Sequence, residues 1–449
     1  MIQAGIIEKI HISGDLRLLS PLTISTGQSE GVIDSMVMRN GIGNAMIPGT
    51  SLAGVLRHIV ANNCSRQDAE LIFGCVQAEG ENSELHQSLI TIDDVVLDKA
   101  EIAVRDGVAI DSVTGTAIKT RKYDYEAVDR GAIGRFQAEL VIRKAQLENK
   151  EHIEELAKSI ADQLAYGISL GAHTAKGMGQ AKADNVAVAV YDFEKKQALS
   201  AWLLGQNAPA MYKASPKAMM GMENFHIEII LAIKSSLLVG DEPDIFQEET
   251  NGKLDKVMLK SKKDFVIPGS SVKGVIRKQA ERICRIAGSY PPEFLNNLMG
   301  YTNSQGQKRK SRLKTYEVYF KNEVLAQNQT HVRIDRFTGG HMDSGLYTYQ
   351  PVWQKKQCAP VLQMAMDVEK CTEVEAGLML LILKDIWTGQ AVFGGGKATG
   401  SGILQGIEAR IAYNGKKWNI RQGSDGLTVA LGNVDSLEAL VAEFVKAGV

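Results

Sequence analysis

The chain has 449 residues, 44% of them hydrophobic and 23% charged, with 43 Gly and 10 Pro. At roughly 100 to 200 residues per domain this is room for several globular domains, and the composition excludes a disordered or low-complexity chain. Lys and Arg number 51 against 52 Asp and Glu, a net charge of -1, so the chain-wide basic excess of a free-standing nucleic-acid binder is missing and any such surface must be local. The five Cys form no C-x-x-C pair, which argues against a disulfide framework or a structural zinc site. The N-terminus lacks a signal pattern and no run of about 18 uncharged apolar residues occurs. The expected location is the cytoplasm, with no membrane partner.

In chain order, Ile10, Ile12, Leu16 and Leu18 alternate with His11, Ser13, Asp15 and Arg17, the period of a half-buried strand. Asp34 follows in VIDSMVMR. IPGTSLAGVLR at 47–57 predicts a helix entered through Pro and Gly, with Ser51 near its N-cap. AIDSVTG at 109–115 and KYDYE at 122–126 come next. Ile153, Leu156, Ile160 and Leu164 then make the apolar face of a second helix before the loop GAHTAKGMG at 171–179 and a further strand. Residues 193–222, with Pro209, Pro216 and the Met-rich AMMGM, read as a connector.

From residue 223 the series runs again. Ile227, Ile229, Leu231 and Ile233 open it, and Asp255 stands in KLDKVMLK. IPGSSVKGVIR at 267–277 shares seven of eleven positions with its first copy. RIDRFTGG at 333–340, LYTYQ at 346–350, a helix with Thr372 and Glu375 at capping-box spacing, and GGGKATGSG at 394–402 complete the set. The tail adds strands and a closing helix near 436–446. The reading is an α+β chain of two tandem ferredoxin-like (RRM-like) domains, 1–192 and 223–449, joined by 193–222, the second with a C-terminal extension.

These motifs, in this order and twice over, resemble the RAMP superfamily, and specifically the backbone subunits (Cas seven-type) of type III CRISPR effector complexes. Two such domains in one polypeptide resemble the fused double subunit of type III-D. The resemblance implies RAMP domains with hairpin thumbs, binding of guide CRISPR RNA, metal-dependent endoribonuclease cleavage of a base-paired single-stranded target RNA, and other type III effector subunits as partners. A non-catalytic RNA scaffold is the alternative. A guide-precursor processing endoribonuclease, with His173 as base, is a more distant one.

On that resemblance Asp34 and Asp255 match the catalytic aspartate and are the expected metal ligands, for Mg2+. A carboxylate beside the scissile phosphate can hold a divalent metal or accept the 2'-hydroxyl proton. Ser51, Arg57, Ser271, Lys273 and Arg277, at the starts of the two IPG helices, are expected to seat guide phosphates on helix N-termini. Lys176 and Lys397 in the glycine-rich loops and the run Lys308, Arg309, Lys310 and Arg312 add further RNA contacts. Neither loop completes a Walker pattern. Asp111, Thr114, Tyr123 and Tyr125, with Asp335, Arg336, Thr338, Tyr347 and Tyr349, match the thumb region, whose aromatic rings can wedge between bases.

Overall fold

A computed structural model describes residues 4–27, 29, 33–75, 87–111, 114, 116–217, 224–243, 254–288, 290–302, 307–321, 324–355, 362–423 and 426–448. The Met-rich stretch 218–222 and most of the loop that precedes Asp255, 244–252, lie outside them, as do residues 112, 113 and 115 of the first hairpin tip. The chain divides into two compact units, Met1–Thr174 with Met178–Gly221, and Ala175–Gly177 with Met222–Val449. Both are mixed α and β with antiparallel sheets. No described helix is long and apolar enough to cross a membrane.

In the first unit, strand β1 (Ile6–Leu18) buries Ile10, Ile12, Leu16 and Leu18 and turns His11, Ser13, Asp15 and Arg17 toward solvent. Helix α1 (Gly49–Asn63) begins directly after Pro48 and buries Leu52, Leu56 and Val60 at four-residue spacing. Helix α2 (Arg66–Phe73) and strand β2 (Ile90–Ile92) follow. Strands β3 (Ile102–Ile110) and β4 (Ala117–Val128) pair with each other as a long hairpin. Next come β5 (Ile133–Arg143), α3 (Lys150–Tyr166) and β6 (Gln180–Asp192). Then α4 (Lys196–Leu203) and β7 (Ala210–Lys213) close the unit. The sheet order is β7-β6-β1-β5-β2, with Ile10 of β1 opposite Leu140 on one side and Val190 on the other.

The second unit repeats the plan. Strand β8 (Phe225–Ile233) is followed by β9 (Lys256–Met258), α5 (Gly269–Ala287) and α6 (Pro292–Met299). Strand β10 (Leu313–Thr315) precedes a hairpin of β11 (Gln329–Ile334) and β12 (His341–Gln350). Then come β13 (Leu362–Val368), α7 (Glu373–Trp387) and β14 (Leu404–Tyr413). Strands β15 (Lys416–Gly423) and β16 (Gly426–Leu431) and helix α8 (Val434–Ala447) form the C-terminal extension. The sheet order is β10-β13-β8-β14-β15-β16, and Ile229 faces Met364 and Ala409.

Two details refine the sequence expectation. Pro48 and Pro268, not serines, stand at the N-caps, so Ser51 and Ser271 fall inside the first turn. Proline suits this place because its missing N–H and fixed φ cost nothing there. Within the stretch 193–222, α4 and β7 are ordered parts of the first unit, with β7 hydrogen-bonded along β6. An uncovered strand edge invites foreign pairing; β7 covers this one, and β15 covers the equivalent edge of β14.

The solvent side of the first sheet is filled by cross-strand ion pairs. Lys9 and His11 reach Glu139 at 2.8 and 2.6 Å, Arg135 reaches Asp15 at 2.9 Å and Arg17 reaches Asp184 at 3.0 Å. On the second, His226 meets Asp367 at 2.6 Å, and Asp367 holds the His226 imidazole above its ordinary pKa. On the first face His11 also meets Tyr191 edge-on, with ring centroids 5.4 Å apart, and Trp202 of α4 lies against Lys9.

Helix α7 is buried on nearly every side, because sheet packs on one flank and α8 on the other. Gly377 makes that fit possible, since a Cβ there would lie 2.2 Å from the Leu440 carbonyl oxygen. Gly to Ala inside a helix ordinarily stabilises by about 1 kcal/mol. Here Gly377→Ala is expected to do the reverse and destabilise by about 1–3 kcal/mol, as overpacking does, measured as a lower midpoint in thermal unfolding.

Candidate nucleic-acid interface

Asp34 and Asp255 occupy the same place in the two units. The Asp34 N–H donates to the Asp124 carbonyl at 2.8 Å, and the Asp124 N–H donates back to Asp34 Oδ2 at 2.9 Å. The Asp255 N–H donates to the Thr348 carbonyl at 2.8 Å, and the Thr348 N–H donates to Asp255 Oδ2 at 2.7 Å. Each aspartate is thus bracketed to the outgoing strand of its hairpin, β4 or β12. The residue after each continues the contact in parallel, Ser35 beside Tyr125 and Lys256 beside Tyr349. Both side chains remain exposed.

The surroundings of the two carboxylates differ. In the first unit Asp106 pairs across the hairpin with Asp124, and Lys122 reaches both, at 3.1 Å and 3.8 Å. Desolvation, then the charge of Asp106, holds the Asp124 carboxyl above the ordinary carboxylate range. At the equivalent places of the second unit stand Thr330 and Thr348, whose hydroxyls are 3.1 Å apart. Behind Asp34, the buried Glu126 accepts from the Val37 N–H at 3.0 Å and pairs with Arg39 at 2.9 Å. This pair was not singled out from sequence; Gln350 replaces Glu126 in the second copy, so the repeat itself gave no signal. The described residues gather no group of three or more His, Cys, Asp or Glu able to hold a metal.

The hairpin tips explain the D-x-x-T motif. Asp111 Oδ1 accepts from the Thr114 N–H at 2.7 Å and its hydroxyl at 3.0 Å; Asp335 Oδ1 accepts from the N–H groups of Phe337 and Thr338 at 2.7 and 2.9 Å. These bonds hold the Asp335 carboxyl below its usual range. Arg336 lies on the second turn beside Phe337, whose side chain is wholly exposed. Ile110, 65% exposed, stands at the corresponding end of the first hairpin. Tyr123 and Tyr125, like Tyr347 and Tyr349, flank the bracketed residue and pack ring on ring, with centroids 5.8 and 4.9 Å apart.

The expected phosphate ligands fall into different settings. Arg57 is exposed on α1, with no hydrogen bond or ion pair among the described residues. Ser51 is half-buried, and the Gly49 N–H at that helix start already donates to Asp94 Oδ1 at 2.8 Å, so a protein carboxylate takes part of the anion seat. On α5 Ser271 is half-buried, Arg277 donates to the Gly300 carbonyl at 2.9 Å, and Lys273 donates to the Leu313 carbonyl at 3.1 Å. Burial, then the neighbouring Arg277, pushes the Lys273 ammonium down to about 7. Lys176 and Lys397 each end or start a single helical turn of their glycine-rich loops.

Lys308, Arg309 and Lys310 are exposed, with Arg309 donating to Asn297 Oδ1 at 2.5 Å. Arg312 is different. Its guanidinium donates to the Lys370 carbonyl at 2.8 Å and pairs with the buried Glu375, the same residue that closes the capping box with Thr372 at the start of α7. The sequence groups Arg312 with its basic neighbours, but the structure gives its charge to a helix start.

A family model described as the RAMP superfamily matches residues 15–182 and 230–405. A search of curated proteins returned no match.

Removing Arg312 strands the buried Glu375. Arg312→Ala is therefore expected to cost about 3 kcal/mol of unfolding free energy, as breaking a buried pair does, while Lys308→Ala with Lys310→Ala should stay within about 0.5 kcal/mol each. Denaturant unfolding of the two variants measures the contrast.

Proposed function

The chain belongs to the RAMP superfamily across both of its units, and from that premise we propose that it is a backbone subunit of a type III CRISPR effector complex, of the III-D kind in which two backbone domains are fused. At family level this is a CRISPR-associated RNA-binding protein, with CRISPR RNA and other subunits of the complex as partners. The finer reading is that it holds guide RNA in the cytoplasm and cuts the single-stranded target RNA paired to it. The observation that carries this reading is the twofold bracket: the same acid, held by one backbone-to-backbone bond and one backbone N–H on its carboxylate, on the same hairpin strand.

The assignment of a ferredoxin-like core draws support from the strand order, with β1 or β8 between the strands that precede and follow α3 or α7. The thumb reading of the hairpins draws support from their exposed apolar side chains, Ile110 and Phe337 at the ends, which suit a wedge between bases.

In the proposed cut, one carboxylate oxygen is fixed by a backbone N–H and the other, which has no hydrogen bond among the described residues, accepts the 2'-hydroxyl proton of a target nucleotide. The freed 2'-oxygen attacks the adjacent phosphorus in line, the bond to the 5'-oxygen breaks, and a cyclic phosphate forms. Asp34 and Asp255 would each hold Mg2+ through the backbone-bonded oxygen, leaving the other to take the proton, and the ion would supply neutralisation of the phosphate charge. Such a site fits an exposed aspartate at each position. The acid pair beside Asp34 and the threonine pair beside Asp255 give the two centres different local fields.

Asp to Asn preserves volume and removes the proton acceptor. Asp34→Asn in the assembled complex should abolish one target product and spare another, Asp255→Asn should do the reverse, and chelation should suppress both. A denaturing gel of cleavage products reads the result. If Asp34→Asn leaves every product unchanged, the scaffold reading replaces this one.

A further inference from the structure

Each hairpin base carries a third aromatic ring beside its tyrosine pair, and the two copies obtain it from different places. In the first unit His173, in the glycine-rich loop, lies 6.2 Å from Tyr123 and 5.3 Å from Tyr125 between ring centroids. In the second unit His331, on β11, lies 5.2 Å from Tyr347 and 5.9 Å from Tyr349. The exchange is reciprocal. Gly107 sits opposite Tyr123 just as His331 sits opposite Tyr347, and Gly396 holds the loop position of His173.

The backbone bears out that correspondence. His173 has φ of 59° and Gly396 has φ of 70°, so both occupy the left-handed region. Glycine enters it freely, whereas a histidine there is held under strain. At Gly107 a Cβ would lie 2.2 Å from Tyr123 Cζ, so the tyrosine ring covers the vacated strand position. Where the strand supplies no ring, the strained loop supplies one. Where the strand supplies it, the loop relaxes to glycine.

We infer that His173 and His331 are the equivalent third rings of a three-ring platform, one drawn from the loop and one from the strand, and that this platform stacks a nucleobase of single-stranded RNA. All six rings are half-buried, so the clusters keep accessible surface. Planar rings gathered at a partly open surface suit a flat π system, and base stacking on such rings is tolerant of sequence. In the second unit Arg333 lies over Tyr347, 5.7 Å from its centroid, a cation placed to meet the phosphate of a nucleotide whose base is stacked nearby. The inference rests on the RNA-binding reading above and adds the imidazoles, their shared place and their ligand.

The probe is a single-stranded RNA carrying 2-aminopurine, whose fluorescence is quenched by stacking, titrated with the full chain. Replacing both histidines by Ala is expected to weaken binding about tenfold, and replacing both by Phe to leave it within about twofold, since a stacking role needs a ring and not an imidazole. His331→Gly combined with Gly396→His should recover at least half of the quench lost in His331→Gly alone. Thermal midpoints within a few degrees of the unmodified chain establish that the variants fold. Unchanged binding by the Ala variant, or a Phe variant as weak as the Ala variant, overturns the inference while leaving the RNA-binding reading intact. Failure of the unmodified chain to bind the probe at any salt concentration overturns both.

Discussion

Two reciprocal pairs of hydrogen bonds, each with one backbone-to-backbone bond and one from a backbone N–H to a carboxylate, decide where the two repeated aspartates stand. A carboxylate on a loop is ordinarily free to wander, and its position relative to a strand tens of residues away is undefined. Here the Asp34 and Asp255 N–H groups and one oxygen of each side chain are committed to a single residue of the hairpin, Asp124 or Thr348. Because side chains alternate along a strand, fixing that residue also fixes its tyrosine neighbours on the other face. Acid, hairpin and ring platform are consequently one rigid arrangement, and neither hairpin can shift register without carrying its aspartate along.

Within that shared frame the two units have diverged electrostatically. Around Asp34 lie Asp106, Asp124 and Lys122, with the buried Glu126–Arg39 pair behind. Around Asp255 the corresponding hairpin residues are neutral, Thr330, Thr348 and Gln350. A buried acid such as Glu126 is tolerable only with its arginine, because an unpaired buried charge is expensive. The helix starts differ too, with Asp94 on the amide of Gly49 in one unit and a desolvated Lys273 in the other. Backbone geometry is what the duplication has kept, and charge is what it has varied.

The sequence was most legible where one physical signal dominates. Alternation announced β1 and β8, the four-residue spacing of Ile153, Leu156, Ile160 and Leu164 announced α3, and the Thr372–Glu375 capping box is present as spaced. Legibility failed where a residue's meaning depends on a distant partner. Arg312 reads as one of a basic run, and only the fold shows that its charge goes to Glu375. The strand β7 has four residues and no repeat partner, so nothing local distinguished it from linker. Hairpin register was equally hidden, and with it the pairing of Asp106 with Asp124.

The ring platforms show why a self-comparison of sequence can conceal an equivalence. Aligning the copies sets His173 against Gly396 and His331 against Gly107, so each histidine looks unmatched and each invites dismissal as incidental. Three-dimensional packing imposes a different criterion, which is occupancy of a volume beside two tyrosines, and a strand or a loop can meet it equally well. A ring needed only to plug a gap would be expected to keep its site of origin, since any change passes through a state with two rings or none. That a third ring stands beside the tyrosines in both units despite a change of origin argues that the three-ring cluster is what has been held constant, and that the route to it has been free to vary.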